Sequence, residues 1–497
     1  MDTNRIGDVL LMTVMICTIL FPILIGVFIS LHREDRIKRN ALCVITGISL
    51  CIEVVLVAVC LFGVPEETYH LFNLTNTLAV DMKLDLVGRI FAGIMAIVWT
   101  LTGFYCFEYM KHEENNKRFF GFYLMVEGIL MGLCFAGNLV TYYGFFELLT
   151  IGSFALVLHN RSHEALMAAL KYLFYSFAGA YMVLFGLFFV YKYSGNSTMS
   201  FSLGGIIDSS TFENTGVLGV SLLLMIIGFG VKAGMFPMQG WLPTAHPVAP
   251  APASAVLSGI IVKAGVLGIL RVIYYIFGEN NFGGSYAQTV VLIMSLITVF
   301  IGSMLAYKEK VLKKRLAYST VSQVSYILFG LFVLNPTAYE GSLIHVVAHA
   351  AIKSTLFLCA GAIIYLTGCT KVNELRGIGK KMPVMLWCYT IVSLGLIGIP
   401  PFGGFASKWY LCVGALNSNI KVFSWLGPVV LLVSALLTAG YLLPISINGF
   451  MPGKDFKIEE NEALSKAHEP KLIMLVPIIV LTLISIFIGV FPEVLIW

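Results

Sequence analysis

Runs of about twenty apolar residues recur along the whole chain, and this feature limits the possible folds more than any other. Each run is long enough to cross a hydrocarbon core of about 30 Å as a helix. Charged residues make up only 12% of the sequence and hydrophobic residues 58%, whereas a soluble domain carries about 25% charged residues. The runs lack the alternation of barrel strands, and helices satisfy their own backbone polar groups in lipid. The sequence therefore predicts an all-α, polytopic membrane protein.

Breakers between the apolar runs divide the chain into about fourteen predicted spans. The start of the chain lacks the basic region and cleavage site of a signal peptide, so we expect the first span to be retained. The spans are predicted near residues 9–31, 41–63, 86–109, 119–137, 139–158, 166–191, 217–236, 252–277, 286–306, 316–334, 341–366, 384–416, 424–448 and 471–491.

Alternate loops between these spans collect the basic residues, so the net charge of +5 reflects topology and not a nucleic-acid partner. By the positive-inside rule these loops are cytoplasmic. We therefore expect a protein of the cell (cytoplasmic) membrane with both termini on the outer face. The basic loop residues are Arg33, Arg36, Lys38 and Arg39; Lys111, Lys117 and Arg118; Lys308, Lys310, Lys313, Lys314 and Arg315; Lys371, Arg376, Lys380 and Lys381; and Lys454, Lys457 and Lys466.

The ten cysteines lie mostly inside the apolar runs and show no C-x-x-C or ferredoxin-like spacing. Such spacings are typical of iron–sulfur and zinc sites. We therefore expect no metal site, no disulfide framework and no cofactor in this chain.

One short motif occurs twice. Ala168–Lys171 is followed by Ala178–Ala180, and Ala350–Lys353 is followed by Ala360–Ala362, with the same offset from the lysine to the Ala-Gly-Ala sequence. A match of this length can arise by chance, but it also indicates an internal repeat.

The span after each copy is interrupted by glycine or proline and carries a lysine. The first interruption is Gly230–Pro237, which contains Lys232, and the second is Pro400–Lys408. Paired broken helices in corresponding halves are typical of the ion path of a transporter built from repeats. Because the copies are five spans apart, an odd number, we expect the two units to have inverted topology.

Ionisable residues lie inside the predicted spans, where one charge costs about 2.5–3.5 kcal/mol at the bilayer centre. Residues 345, 349 and 353 are spaced four apart, which places them along one helix face. We predict a proton relay that consists of Glu147, Lys232, Lys263, His345, His349, Lys353 and Lys408.

Lysine suits such a relay because a desolvated lysine can lose its charge near neutral pH, whereas arginine stays charged. A carboxylate such as Glu147 would hold the proton on Lys232, and separation of the pair would release it to the next site. Histidines can then pass it on. The alternative for each residue is structural: a buried ion pair, a snorkelling side chain or a hydrogen-bonded interior histidine.

Four further residues are weaker candidates. Lys171 belongs to the first motif copy but lies close to a predicted helix end. His246, in a proline-rich stretch, could line a cytoplasmic entrance or stabilise a turn. Glu127 is a secondary relay candidate, and neither it nor Glu53 has an evident partner in the repeat, so a structural role stays open for both.

The start of the third span carries opposite charges one helical turn apart. Asp85 and Arg89 are four residues apart, a spacing that brings side chains together on a helix. An acidic residue there also complements the helix dipole. We therefore expect a capping ion pair between them.

Several long motifs resemble the antiporter-like subunits of proton-pumping NADH:quinone oxidoreductase (complex I), a family that includes Mrp-type sodium/proton antiporters and energy-converting membrane-bound hydrogenases. The resemblance covers roughly spans 4 to 13. The motifs are Val231–Pro237, Trp241–Pro247, Ser254–Gly259 with Lys263, Leu316–Gln323, His349–Ala362 and Gly398–Lys408.

The resemblance implies two inverted five-helix repeats, in which helices 7 and 12 are broken. The divisions would be 1–118 for the first three helices, 119–277 and 286–448 for the repeats, and 471–497 for the last helix. It further implies that Glu147 and Lys232 form the charge pair, that Lys263 and His349 are central relay sites, and that Lys408 is the terminal site. Glu127 is not carried over.

The resemblance also implies that the chain works beside other membrane subunits, with the electron-transfer chemistry located in those subunits. The first hypothesis is a subunit that moves H⁺, Na⁺ or both across the lipid bilayer in a redox-driven pump such as a membrane-bound hydrogenase or complex I-like oxidoreductase. A redox-free Mrp-type antiporter subunit is the second. A solitary solute carrier and a purely structural scaffold remain as alternatives from other classes, and the intramembrane lysines argue against the scaffold.

Overall fold

The structure is a computed structural model that describes residues 3–32, 38–195, 198–453 and 462–495. The predicted basic loop residues Arg33, Arg36, Lys454 and Lys457 lie outside this part. The helices are α1 Thr3–Leu31, α2 Arg39–Gly63, α3 Leu86–Tyr109, α4 Asn116–Cys134, α5 Leu139–Val157, α6 His163–Tyr193, α7 Ser209–Asn214, α8 Gly216–Ala233, α9 Leu242–Val248, α10 Ala251–Val256, α11 Val262–Leu270, α12 Glu279–Phe282, α13 Tyr286–Lys308, α14 Leu312–Val333, α15 Pro336–Thr367, α16 Pro383–Ile397, α17 Gly403–Leu416, α18 Phe423–Phe450, α19 Glu462–Ser465 and α20 Leu472–Val490.

Short helical turns of other types complete the helical part. Leu257–Ile261 and Arg271–Phe277 are π-helical. The first joins α10 to α11 and the second extends α11, which gives one continuous span, Ala251–Phe277. The 3₁₀ turns are Gln239–Trp241, Val372–Leu375, Ile378–Lys380 and Pro492–Leu495.

Twelve helices in the described part are long and apolar enough to cross a membrane, or thirteen if the bent pair Val372–Lys380 and Pro383–Ile397 is one span. The prediction of an all-α, polytopic membrane fold is confirmed. Two of the predicted spans, 119–137 and 384–416, correspond to α4 and to α16 with α17, which are not among the twelve. Helix α4 carries three charged residues, and α16 and α17 have 15 and 14 residues, fewer than the roughly 20 that a full crossing needs.

A small β-hairpin, which the sequence analysis did not predict, precedes α3. Strands β1 Thr68–Asn73 and β2 Ala79–Lys83 pair antiparallel. The Asn138 side chain donates to the carbonyl of Ala79 at 2.8 Å and to Asp81 Oδ2 at 3.0 Å. Asn138 is also the N-cap of α5, so the hairpin holds the start of the helix that carries Glu147.

The helices form a buried centre and a lipid-facing periphery. Every residue of the span Ala251–Phe277 is buried, and α14 and α15 are buried almost throughout. Outer helices instead expose large apolar side chains, for example Leu24 at 62% and Phe174 at 69%. Apolar exposure on this scale is unusual for a soluble protein and suits a lipid environment.

Both predicted helix breaks are present. Helix α8 ends at Ala233 with Gly234 at φ +81°, and α16 ends at Ile397 with Gly398 at φ +98°. Glycine adopts this left-handed conformation without the steric cost of a side chain. The chain then resumes as α9 and α17, respectively, so each break leaves the C-terminal carbonyls of a helix inside the protein.

Candidate functional site: a buried row of lysine and histidine

Lys232 lies in the last turn of α8 and is 1% exposed. Its Nζ donates a hydrogen bond to Thr150 Oγ1 at 3.0 Å and another to the hydroxyl of Tyr172, and it lies 4.7 Å from the centroid of the Tyr172 ring. Tyr172 in turn shares a 2.5 Å hydrogen bond with Ser153. Because a helix C-terminus is the negative end of its dipole, this position also stabilises a cation.

Glu147 is half-buried on α5 and accepts a 2.9 Å hydrogen bond from the Tyr143 hydroxyl. The predicted charge pair with Lys232 is not a direct contact, because no ion pair joins these two described residues. Instead, the hydroxyl of Thr150, three residues after Glu147 on α5, accepts the hydrogen bond from the lysine amine. The carboxylate is nevertheless close enough to interact electrostatically with Lys232.

Lys263 contacts His349 directly at the centre of the molecule. Lys263 Nζ and His349 Nδ1 are 2.6 Å apart, and both side chains are no more than 1% exposed. The π-helical stretches Leu257–Ile261 and Arg271–Phe277 flank the α11 segment that carries Lys263, and such stretches are frequent at functional sites. A Cβ on Gly265 would lie 2.4 Å from the carbonyl oxygen of Phe229, so only glycine lets α11 pack this closely on α8.

His345 lies one turn before His349 on α15, and their ring centroids are 5.9 Å apart. His345 Nδ1 forms a 2.8 Å hydrogen bond with Ser407 Oγ. Nε2 of each histidine is buried without a hydrogen-bond partner among the described residues. Because a neutral imidazole has one donor and one acceptor nitrogen, each ring has a free site for proton exchange.

Lys408 is the last member of a buried row of side chains, which consists of Lys232, Lys263, His349, His345 and Lys408. Its Nζ donates to the carbonyls of Leu396 at 2.6 Å and Ile397 at 2.9 Å, which are the last carbonyls of α16. It lies 5.0 Å from the centroid of the Tyr326 ring and borders a mainly apolar cavity of about 300 Å³ that Trp409 also lines. Lys232 precedes its break and lies in the last turn of α8, whereas Lys408 follows its break on α17 and its ammonium group reaches back to the C-terminus of α16.

The remaining candidates lie in different surroundings. Lys353 is fully buried and donates to the carbonyl of Leu316 at 3.1 Å. Lys171 is only half-buried, with its Nζ 5.9 Å from the centroid of the Tyr175 ring, and it makes no described contact with the row. His246 is fully buried, stacks on Phe357 at 4.7 Å, and neither ring nitrogen has a hydrogen-bond partner among the described residues.

Glu127 and Glu53 are not part of the row. Both are fully buried, on α4 and α2 respectively. Their helices pack against each other, and neither residue shares a described contact with the predicted repeat lysines.

One strongly bound pair was missed by the sequence analysis. Asp85 caps α3 as predicted, by accepting from the Gly88 amide at 2.9 Å, but its ion-pair partner is Arg271 and not Arg89. Arg271 Nη2 donates to Asp85 Oδ1 at 2.8 Å, and the guanidinium also lies 4.5 Å from the Tyr275 ring centroid. Arg89 instead donates to backbone carbonyls at the end of α2. An arginine inside a span is costly unless it is paired, and that signal could have indicated that Arg271 has a partner, though not which residue.

Within the described ranges no cluster of three or more His, Cys, Asp or Glu side chains is arranged to hold a metal ion, and the cysteines are free thiols. The amines, imidazoles and hydroxyls of this row are groups that can exchange protons with one another.

The fold and the row define a class: a polytopic membrane protein with titratable side chains through its interior. The comparisons with known proteins show the family. Residues 136–451 match the family model described as NADH:quinone oxidoreductase/Mrp antiporter, TM, which is more than half of the chain. The chain belongs to this family.

Similar proteins match this chain along most of their length. NADH-quinone oxidoreductase subunit N of Desulforudis audaxviator is 32% identical over 414 residues, which are 81% of this chain and 79% of that protein. An Na(+)/H(+) antiporter subunit of Alkalihalophilus pseudofirmus is 27% identical over 479 residues, 96% of this chain and 94% of that protein. The solved structure of an archaeal respiratory complex, the membrane-bound sulfane sulfur reductase, contains a chain with 25% identity and a TM-score of 0.80, covering 95% of this chain and 75% of that one.

Proposed function

We propose that this chain is the ion-translocating, antiporter-like subunit of a redox-driven membrane pump, and that it moves protons along the buried row from Glu147 to Lys408. The observation that carries the proposal is the 2.6 Å contact between Lys263 and His349. Lys263 belongs to the first predicted repeat and His349 to the second, so this one hydrogen bond joins the two halves.

The proposed order of transfer follows the contacts. Lys232 holds a proton between Thr150 and Tyr172, under the influence of Glu147. Rearrangement at the Gly234 break changes that environment and releases the proton toward Lys263. His349 accepts it from Lys263, because the two share a hydrogen bond already.

The second half of the path continues along α15. His345 is the next titratable group after His349, and its bond to Ser407 leads to the neighbouring residue, Lys408. Lys353, one turn beyond His349 on the same helix, is proposed to tune the charge of the row, because its only described hydrogen-bond partner is a backbone carbonyl.

The surroundings of the chain follow from the same proposal. The partners are other membrane subunits, the lipid bilayer and H⁺, Na⁺ or both, and any redox cofactors are held by those subunits. The positive-inside pattern supports a location in the cytoplasmic membrane with both termini outside. The division into two inverted repeats, 119–277 and 286–448, is part of the proposal.

A second candidate is a subunit of a redox-free Mrp-type antiporter. The observation that favours it is the match to the Na(+)/H(+) antiporter subunit of Alkalihalophilus pseudofirmus along 96% of this chain. Purification from native membranes in mild detergent, with identification of the co-purifying subunits, separates the two candidates. Iron–sulfur or hydrogenase-like partners support the first, and small Mrp-type subunits support the second.

Lys232→Ala tests the relay itself. We expect this variant to assemble with its partner subunits but to lose ion-coupled proton movement in membrane vesicles. Lys192→Ala is the matched control, because Lys192 is exposed at the end of α6 and, within the described part of the chain, its amine interacts only with the neighbouring Tyr193 ring. Normal transport by Lys232→Ala would refute the relay, and uptake of a solute by the isolated chain would instead support a solitary carrier.

A further inference from the structure

A pair of buried carboxyl groups lies outside the row described above. Glu53 on α2 and Glu127 on α4 are both 0% exposed. Helix α4 packs against α1, α2, α3 and α5, and α2 packs against α1, α3 and α4, so both side chains point into the bundle of the first helices. The two carboxyl groups are within electrostatic range of each other.

None of the four carboxyl oxygens has a hydrogen-bond partner among the described residues. No described lysine, arginine or histidine lies within ion-pair distance of either group. An isolated carboxylate in such surroundings is very costly and normally becomes neutral by binding a proton. Two carboxylates that share a site add mutual repulsion to this cost.

Other buried polar atoms on α2 and on the neighbouring helix α3 also lack a described partner. Thr46 lies two turns before Glu53 on the buried face of α2, and its hydroxyl has no described partner. The indole Nε1 of Trp99 on α3 is buried and likewise unpartnered. The Trp99 ring stacks on Tyr123 at 4.7 Å, and Tyr123 lies one turn before Glu127. Unpartnered polar atoms therefore occur on more than one helix of this bundle.

The remaining titratable and charged groups on the surrounding helices do not neutralise the pair. Tyr123 interacts electrostatically with Glu127, and Cys60 with Glu53. Neither tyrosine nor cysteine is a cation at neutral pH. The charged side chains have partners elsewhere: Arg39 with the Phe107 carbonyl, Arg89 with carbonyls at the end of α2, Arg118 with the His159 carbonyl, Glu108 with Lys111 and Lys471, and Glu147 with Tyr143.

We infer that Glu53 and Glu127 form a proton-binding site in the N-terminal helices, separate from the relay row, in which at least one of the two carboxyl groups stays protonated at neutral pH. The bound species is H⁺, because no cationic side chain among the described residues neutralises the two buried carboxyl groups. Protonation of one carboxyl group removes its charge, and with it the repulsion between the two groups. Such a pair takes up and releases protons as one unit.

Infrared spectroscopy of the purified complex in lipid nanodiscs tests the inference directly. At pH 8 we expect a C=O stretching band of protonated carboxylic acid that shifts in D₂O. The double variant Glu53→Gln/Glu127→Gln should lose the part of the band that the pair contributes. Glu213→Gln is the control, because Glu213 is exposed, and it should leave the band unchanged. A double variant with the full wild-type band would overturn the inference.

Labelling of the unmodified protein decides the matter if the variants fail to assemble. Dicyclohexylcarbodiimide is apolar and reacts with protonated carboxyl groups, and mass spectrometry identifies the modified residue. We expect modification of Glu53 or Glu127 that declines as the pH rises, with Glu213 unmodified. The absence of labelling at both residues would contradict the inference.

Sodium binding is the remaining discriminating outcome. If radioactive Na⁺ binds to the wild-type complex and binding is lost in the double variant, the pair is a cation site and not a proton site. Neither the infrared band nor the labelling requires turnover. A failed relay therefore leaves this inference standing, and a failed inference leaves the relay standing.

Discussion

Replacing His349 by alanine removes the only side-chain hydrogen-bond partner that Lys263 has in the described part of the chain. The remaining contact of Lys263 Nζ is the Ser258 carbonyl at 3.4 Å, against 2.6 Å for the histidine. A hydrogen bond to a charged group contributes about 1.5–3 kcal/mol. If the bond is used during transfer, the rate should fall about 10- to 150-fold, since each 1.36 kcal/mol corresponds to a factor of ten.

A double-mutant cycle with Lys263→Met distinguishes this contact from two independent effects. The initial rate of proton movement into membrane vesicles, followed with a pH-sensitive dye, is measured for the wild type, both single variants and the double variant. We expect the double variant to be no slower than the slower single variant, because each change already breaks the same step. The cycle of His349→Ala with Lys192→Met is the control and should be additive. Additive losses in the Lys263 and His349 cycle would refute a shared transfer step.

Three further changes test the packing and charge of the fold. Asp85→Ala leaves Arg271 buried without its anion and should cost about 3–5 kcal/mol of stability, seen as a lower melting temperature, whereas Asp85→Leu combined with Arg271→Met should restore most of it. Gly265→Val places a Cβ 2.4 Å from the Phe229 carbonyl oxygen, so α11 must move away from α8; we expect reduced transport, and an unchanged rate would contradict the close packing. Burial lowers the pKa of His159, in the loop after α5, to about 4 from about 6.5 in an unfolded chain. As the pH falls, the unfolded state binds the proton before the folded state does. The free energy of unfolding is therefore unaffected by this histidine above about pH 6.5, and about 3 kcal/mol of it is lost as the pH falls toward 4. Melting of His159→Phe should depend less on pH in this window than melting of the wild type.

The apolar runs and their breakers were sufficient to predict most of the long helices and the two breaks. The predicted break at Gly230–Pro237 corresponds to the end of α8 at Ala233, because Gly234 takes a left-handed conformation. Burial of Lys263 and His349 was also predictable, since a charge within an apolar run has to be placed in the protein interior. A span length, however, does not reveal which neighbouring helix supplies the contact.

The immediate partners could not be predicted for this reason. Lys232 was expected to contact Glu147, but the hydroxyl of Thr150, on the same helix as that carboxylate, lies closer to the amine. The two residues are three apart, so both face α8, and only side-chain length and packing decide which one makes the contact. Likewise, Arg271 reaches Asp85 across 186 positions of sequence, and no local pattern indicates a pairing over that separation.

Arg271 has a charged partner, whereas Lys232 and Lys408 have neutral ones. This difference distinguishes a permanent charge from charges that can be lost with a proton. Arg271 has a carboxylate in direct contact, and an arginine stays charged, so this pair holds its charge permanently and ties the start of α3 to the end of the central span. Lys232 and Lys408 are held by neutral groups, either hydroxyls or the carbonyls at the end of α16. Neutral acceptors and a helix C-terminus stabilise an ammonium, but they leave no unpaired buried anion when the proton departs. A direct carboxylate contact would leave one, at a cost of several kcal/mol. The absence of direct ion pairing at these two described lysines is therefore the arrangement that permits both protonation states, which a relay requires.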